Sequence, residues 1–256
     1  MRCLILAAGA SRRLQPVTLG KPKCLLSLGG KTLLQRIIEA VLGAGIADLA
    51  VVTGHRAPEI RTFLASAFPG NRFTLFHNPS YASTNNLYSL LLAKPFLLSS
   101  GEQYKVGRGD SLLLLDSDIL FGKPLLDFFL RQREVNRLAV RVSGLHDTEE
   151  VRVQINRYRR VLKIGKEIPL EQTFGESIGM EVFSAAALRK LVAAMERRVS
   201  SGPGRAEFYE ASFQEIIDRG VLLKAIDISA FPVAEIDTPE DLRHAERSIL
   251  PLIDYV

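Results

Sequence analysis

Residues 4–23 constrain this chain more than any other stretch. An apolar run, Leu4-Ile5-Leu6, stops abruptly in Ala7, Ala8, Gly9, Ala10 and Ser11, followed by Arg12, Arg13 and then Lys21-Pro22-Lys23. That order describes a buried strand feeding a loop whose backbone can approach an anion. Small side chains leave backbone N–H groups uncovered, and such a concavity binds phosphate. Arg13 and Lys23 can neutralise what the loop cradles. A nucleoside triphosphate site is therefore predicted at the start of the chain.

Two familiar phosphate loops are excluded. Gly29-Gly30-Lys31-Thr32 imitates the end of a P-loop, but the glycine needed earlier is replaced by Leu25. The dinucleotide fingerprint needs spaced glycines running into a helix, and Pro16 and Pro22 interrupt any helix here.

Short apolar runs alternate with amphipathic stretches through the first half. Strands are predicted at 2–7, 48–54, 72–77 and 111–116, and helices at 32–44, 56–67 and 84–98. Such alternation implies right-handed crossovers and a mostly parallel sheet, with ligands beyond the carboxyl ends of the strands. In the second half, strands are predicted at 138–143, 151–155, 160–164, 177–183, 221–227 and 232–236, with helices at 184–198, 207–218 and 239–249. Arg157-Tyr158-Arg159 reads as a turn, and residues 100–110 and 200–205 as loops. Thr238-Pro239-Glu240-Asp241 is a helix start, with Thr238 as cap. The fold class is α/β: a Rossmann-like mixed sheet with helices on both faces and a small β-rich portion.

At 256 residues and 47% hydrophobic content, the chain is expected to form one domain, residues 1–256. Its net charge of +5 suits anionic ligands. The basic residues are scattered without an aromatic-interleaved stripe, so nucleic acid is not an expected partner. Cys3 and Cys24 fit no zinc or redox spacing and read as reduced thiols. The N-terminus shows no secretory leader pattern and no apolar run is long enough to span a bilayer. A cytoplasmic location without membrane insertion is the expectation, and a homodimer is compatible with it. His55, His77, His146 and His244 form no catalytic or metal-ligand pattern, which disfavours a histidine-based hydrolase.

Asp116 and Asp118 end the strand at 111–116 as alternate residues that point the same way. Asp237 closes the strand at 232–236. Carboxylates at strand ends beside a triphosphate loop suit Mg²⁺, a hard ion that prefers oxygen ligands. Asn85 and Asn86 sit at a helix start, where one is expected to act as its cap.

The ordered set Leu6-Ala7-Ala8-Gly9, Arg13-Leu14, Pro16-Val17-Thr18 and Lys21-Pro22-Lys23 resembles the signature of the sugar-nucleotidyltransferase superfamily, with Ser11 where the pattern has glycine. The resemblance continues through Gly29–Leu34 and Thr53-Gly54. Asn78-Pro79-Ser80-Tyr81 and Thr84–Leu90 look most like the cytidylyltransferases, which activate phosphocholine, aminoethylphosphonate, inositol phosphate and related phosphorylated alcohols. The fold implied is the nucleotide-diphospho-sugar transferase type, with about 1–135 binding nucleotide and about 136–256 binding acceptor.

The resemblance also implies roles. CTP would lie against Leu6, Ala7, Ala8, Gly9, Ala10, Ser11, Arg12, Gly54, Asn78, Tyr81, Asn85, Asn86, Ser89 and Asp116. Lys23, Arg13 and Lys166 would be the catalytic cations, with Lys166 orienting the acceptor phosphate. Asp118 and Asp237 would hold Mg²⁺, with Asp116 and Glu235 as supporting or alternative ligands. Glu176 and Gly179 would belong to the acceptor strand, while Glu207, Tyr209 and Glu210 would open a helix over the acceptor head group. The partners implied are CTP and a phosphorylated small-molecule acceptor. Two other readings stand beside this one: transfer from another nucleotide to a sugar 1-phosphate, and a non-catalytic nucleotide-sensing subunit of the same fold.

Overall fold

The computed structural model describes residues 1–14, 17–99, 111–142 and 150–254. Pro16, the loop predicted at 100–110, the last residue of the strand predicted at 138–143, and His146 lie outside them. The elements in chain order are β1 (Arg2–Ala7), a short hairpin of β2 (Ser27–Leu28) and β3 (Lys31–Thr32), α1 (Leu33–Gly43), β4 (Leu49–Thr53), α2 (Ala57–Ala67) and β5 (Phe73–His77). Next come α3 (Asn86–Leu92), α4 (Lys94–Leu98), β6 (Ser111–Asp116), β7 (Ile119–Phe121), α5 (Lys123–Arg131), β8 (Arg137–Arg141), β9 (Arg152–Ile155) and β10 (Val161–Gly165). The chain continues with β11 (Gly175–Ser184), α6 (Ala185–Ser200), α7 (Glu210–Asp218), β12 (Lys224–Asp227), β13 (Val233–Glu235), α8 (Pro239–His244) and α9 (Leu250–Asp254).

Strands β5, β4, β1 and β6 lie side by side and parallel, and β11 continues the sheet antiparallel to β6. β8, β9, β10 and β12 extend the same sheet, so both halves of the chain share it. β1 is buried along its whole length. Its Leu4 and Leu6 face a core shared with α3, α6 and α7, while Cys3, Ile5 and Ala7 face one shared with α1, α2 and α5. Burial on both faces explains why these strands read as unbroken apolar runs. A third cluster of Leu14, Leu28, Leu33, Leu120, Ala234 and Ile236 anchors the first loop, the hairpin and β13 together.

Several boundaries differ from expectation for local reasons. The helix predicted at 84–98 is two helices that meet at Ala93. Pro95 lacks an N–H and its ring collides with the carbonyl one turn back, so a single helix cannot run through. The helix predicted from 207 begins at Glu210, and the strand predicted from 221 begins at Lys224. Residues 239–249 form α8 as far as His244, capped by Thr238 as expected, with Asp241 completing a capping box, and then widen into a π-helical stretch at Ala245–Ile249. β7 and α5 were not anticipated. α5 is short and opens on Gly122 and Pro124 without a side-chain cap. Among the described residues, no helix is long and apolar enough to cross a membrane.

Phe129 of α5 is fully buried, and the Arg137 guanidinium lies 5.1 Å from its ring centroid while donating to its carbonyl at 3.0 Å. Phe129→Ala should cost about 3–5 kcal/mol by leaving a cavity beneath β8. Equilibrium urea unfolding checks this; an unchanged midpoint would show that α5 contributes little to the core.

Candidate active site

The parallel register brings the strand ends level. Leu6 pairs with Asp116, Ala7 with Thr53, and Thr53 with His77. The loop after β1 is held by its neighbours. His55 N–H donates to the Ala8 carbonyl at 3.1 Å. A Cβ on Gly54 would come within 2.6 Å of that same oxygen and 2.7 Å of Tyr81 Cβ, so only glycine fits there. Ser11 adopts a left-handed φ of 51°, which explains why a glycine suits this position. Leu14, fully buried, pins the turn that follows.

A cavity of about 330 Å³ opens beside this loop. Leu6, Ala7, Ala8, Gly9, Ser11, Arg12 and Arg13 line it, with Lys23, Tyr81, Asn85, Asn86, Ser89, Asp116, Asp118 and Asp237 from the expected set. Pro22, Thr84 and Ser117 line it too, outside the expected set, as does Cys24, which the sequence sets beside Lys23. Their neighbours in sequence carried the signal: Ser117 lies between two expected aspartates, and Thr84 precedes the asparagine pair. Cys24 is nearly inaccessible and burial pushes its thiol up to about 12, so it remains protonated.

Charge concentrates around Lys23. Its Nζ lies 2.7 Å from Asp118 Oδ2 and 2.5 Å from Asp237 Oδ1, and Arg13 lies 2.8 Å from Asp237 Oδ2. Burial alone would lower the Lys23 pKa, but the two carboxylates outweigh it and hold the ammonium charged. Burial pushes Asp237 upward, and Lys23 and Arg13 reverse this to hold it below the usual carboxylate range. Glu235 completes the group: one oxygen each from Asp118, Glu235 and Asp237 lie within 4.8 Å of one another. Asp118 Oδ1 is buried without a hydrogen-bond partner. Three converging carboxylates with an unsatisfied oxygen can hold a hard divalent cation.

Asp116 stands outside that group. The Tyr209 hydroxyl donates to its Oδ2 at 2.8 Å. Gly179 lies beneath with φ 69°, and a Cβ there would sit 2.6 Å from the same oxygen. Burial, Asp118 and Glu210 all raise the Asp116 pKa.

The remaining expected residues do not line the cavity. Ala10 continues the loop. Asn78 is fully buried scaffold: its amide donates to Thr84 at 3.0 Å and Ser89 at 2.9 Å, and its oxygen accepts from Ser80 N–H at 2.9 Å. Asn85 caps α3, accepting from Asn86 N–H at 2.9 Å. Lys166 Nζ lies 4.6 Å from the Phe208 ring centroid. Glu176 pairs with Arg141 at 2.6 Å and Glu207 with Arg198 at 3.0 Å. Tyr209 is buried, so it supports the wall instead of presenting a face to an acceptor. Glu210 is also buried, and burial raises its pKa to about 7 against the opposing field of Lys166.

Residues 3–198 match the MobA-like NTP transferase domain. The chain belongs to this family. CTP:phosphoglutamine cytidylyltransferase of Campylobacter jejuni is 26% identical over 94% of this chain and 98% of its own length. The bifunctional IPC transferase and DIPP synthase of Rubrobacter xylanophilus is 28% identical over 96% of this chain, which spans about half (51%) of that longer protein. The solved inositol-1-phosphate CTP transferase of T. maritima superposes with a TM-score of 0.78 at 22% identity, covering 99% of this chain and 96% of that one. The MobA-like family and the nucleotidyltransferase class agree with the resemblance of the N-terminal signature, and the Rossmann-like fold agrees with the superposition.

Two outcomes are expected. Ser11→Gly should gain about 1 kcal/mol or less, because relief of a left-handed serine slightly exceeds glycine's entropic cost; a drop in thermal stability would contradict the strained loop. Glu210 should weaken folding as pH rises. The unfolded chain ionises near 4.5 and the folded one near 7, so the cost grows between those values and is constant above. Glu210→Gln should therefore add about 1–3 kcal/mol above pH 7 and almost nothing below 4.5. A gain independent of pH, in melts across that range, would contradict it.

Proposed function

We propose that this nucleotidyltransferase moves the cytidylyl group of CTP onto a phosphorylated or phosphonylated small alcohol and releases pyrophosphate, with Mg²⁺ as cofactor. The observation that carries the reading is a single cavity joining the small-residue loop, Lys23, the carboxylate group and the neutral segment at 81–89. Support for cytidine comes from relatives named as CTP-dependent transferases.

The reaction forms a bond from an acceptor phosphate oxygen to the α-phosphorus and breaks the bond to pyrophosphate. Its nucleophile is already an anion, so no histidine base is required. The work lies in positioning and charge neutralisation. Backbone N–H groups of residues 7–11 with Arg13 bind the β- and γ-phosphates. Lys23, now shared between Asp118 and Asp237, turns its charge to the α-phosphate. Asp118, Glu235 and Asp237 would hold Mg²⁺, whose chemistry is to neutralise phosphate oxygens. Lys166 meets the acceptor phosphate after leaving Phe208.

The test is pyrophosphate release with and without Mg²⁺, pairing CTP, UTP, GTP, ATP and dTTP with phosphocholine, aminoethylphosphonate, inositol 1-phosphate and glucose 1-phosphate. Turnover with CTP and a phosphorylated alcohol, abolished by chelation, is expected. Lys23→Ala should lower kcat by roughly 10²–10³-fold. Turnover confined to another nucleotide and glucose 1-phosphate, or near-normal turnover in Lys23→Ala, would sink the reading.

A further inference from the structure

The turn at Arg157-Tyr158-Arg159 stands at the far edge of the sheet, and none of it lines the cavity. It joins β9 to β10, and β9 and β11 separate β10 from β6. Lys166 follows the opposite end of β10, after Gly165.

Local bonds build this turn. Asn156 Oδ1 accepts from Tyr158 N–H at 2.9 Å and from Arg160 N–H at 3.1 Å. The Arg157 guanidinium lies 4.7 Å from the Tyr158 ring centroid and donates to its hydroxyl at 2.7 Å. The chain entering β12 lies alongside. Val161 N–H donates to Leu223 O at 2.9 Å, Ala225 N–H to Arg159 O at 2.9 Å, and Lys224 Nζ to Tyr158 O at 2.8 Å. Val161 and Leu223 turn into the core, so alternation puts Arg160, Leu162, Leu222 and Lys224 on the outer face. Three large side chains stand exposed together there: Tyr158 at 56%, Leu162 at 46% and Leu222 at 55%.

The charge of this edge is unbalanced. Among the described residues, Arg157, Arg159, Arg160 and Lys224 make no ion pair. Asp227 feels Arg159 but accepts from the Ser229 hydroxyl, and Asp218 accepts from Gln214.

Two kinds of partner fit this face poorly. An added peptide strand needs free backbone groups at the sheet edge. Here Gln214 occupies them, donating to Leu162 O at 3.1 Å and accepting from Ile164 N–H at 2.9 Å. Single-stranded nucleic acid needs aromatic faces for its bases, and Arg157 already covers one face of Tyr158. An anionic bilayer uses everything present. Its headgroup layer takes leucines and a tyrosine, and its phosphates take the cations.

We propose that this edge docks the protein on an anionic lipid surface. Tyr158, Leu162 and Leu222 seat among the headgroups, with Arg157, Arg160 and Lys224 against the phosphates. The contact is peripheral and requires no spanning helix. Each cation near such a surface raises partitioning about fivefold, and salt screens that gain.

The experiment is co-sedimentation of the full chain with two kinds of vesicle, phosphatidylcholine alone and phosphatidylcholine with about 30% phosphatidylglycerol, at about 0.05 M and about 0.5 M salt. Wild type should bind the anionic vesicles roughly tenfold or more above the neutral ones at low salt, and lose most of that binding at high salt. The double variant Arg157→Gln/Arg160→Gln should bind roughly 25-fold more weakly. Leu162→Ser/Leu222→Ser should bind roughly tenfold more weakly or worse. All four side chains are exposed, so thermal melts should match wild type; a double variant that melts early is replaced by Arg160→Gln or Leu162→Ser alone. No binding to anionic vesicles overturns the proposal, as does equal binding to both kinds, or binding that neither set of changes weakens. Wild type that ignores vesicles but binds polyuridylate or polyglutamate overturns it in favour of nucleic acid or an acidic protein. The assay contains no nucleotide, so its outcome is separate from that of the transferase reading.

Discussion

The site depends on the level ends of four parallel strands. Leu6 opposite Asp116 puts the loop after β1 and the aspartates side by side. Thr53 opposite Ala7 and His77 brings the wall at 78–89 into the same rim. A slip of one residue would turn each strand's side chains to the opposite face. Burial on both faces makes such a slip costly, so the core itself holds the geometry of the rim.

Charge balance is the second constraint. Lys23 bridges two carboxylates in a setting where an isolated ammonium would be penalised. Removing one partner from such a group leaves uncompensated buried charge, which is worse than never having the pair. The group is thus stable as a set. Asp116 is kept apart from it by a different partner, the Tyr209 hydroxyl.

Much of this was legible in the sequence where local chemistry decides the outcome. β1 and its loop, a cap at Asn85 or Asn86, the cap at Thr238 and the strand-end aspartates are all short-range features. Less legible was whatever depends on distant packing. α5 opens on glycine and proline without a cap, and nothing local announces it. Glu235 reads as a supporting ligand beside the aspartates, and the pairing of β13 with β7 carries its carboxylate to within 4.8 Å of those of Asp118 and Asp237. Tyr209 reads as an acceptor contact from its place before a helix, but tertiary packing turns it inward. Glu176 and Glu207, expected at the acceptor, pair with Arg141 and Arg198, whose positions no spacing rule reveals.

The close approach at Gly54 has a mechanical consequence. Its missing side chain lets the Ala8 carbonyl and Tyr81 touch the same backbone point from two directions. The loop after β1 and the wall at Tyr81 are therefore held together across a single residue without a side chain. The separation of the two walls is set at this point by backbone packing. Any side chain at position 54 would have to part the two walls.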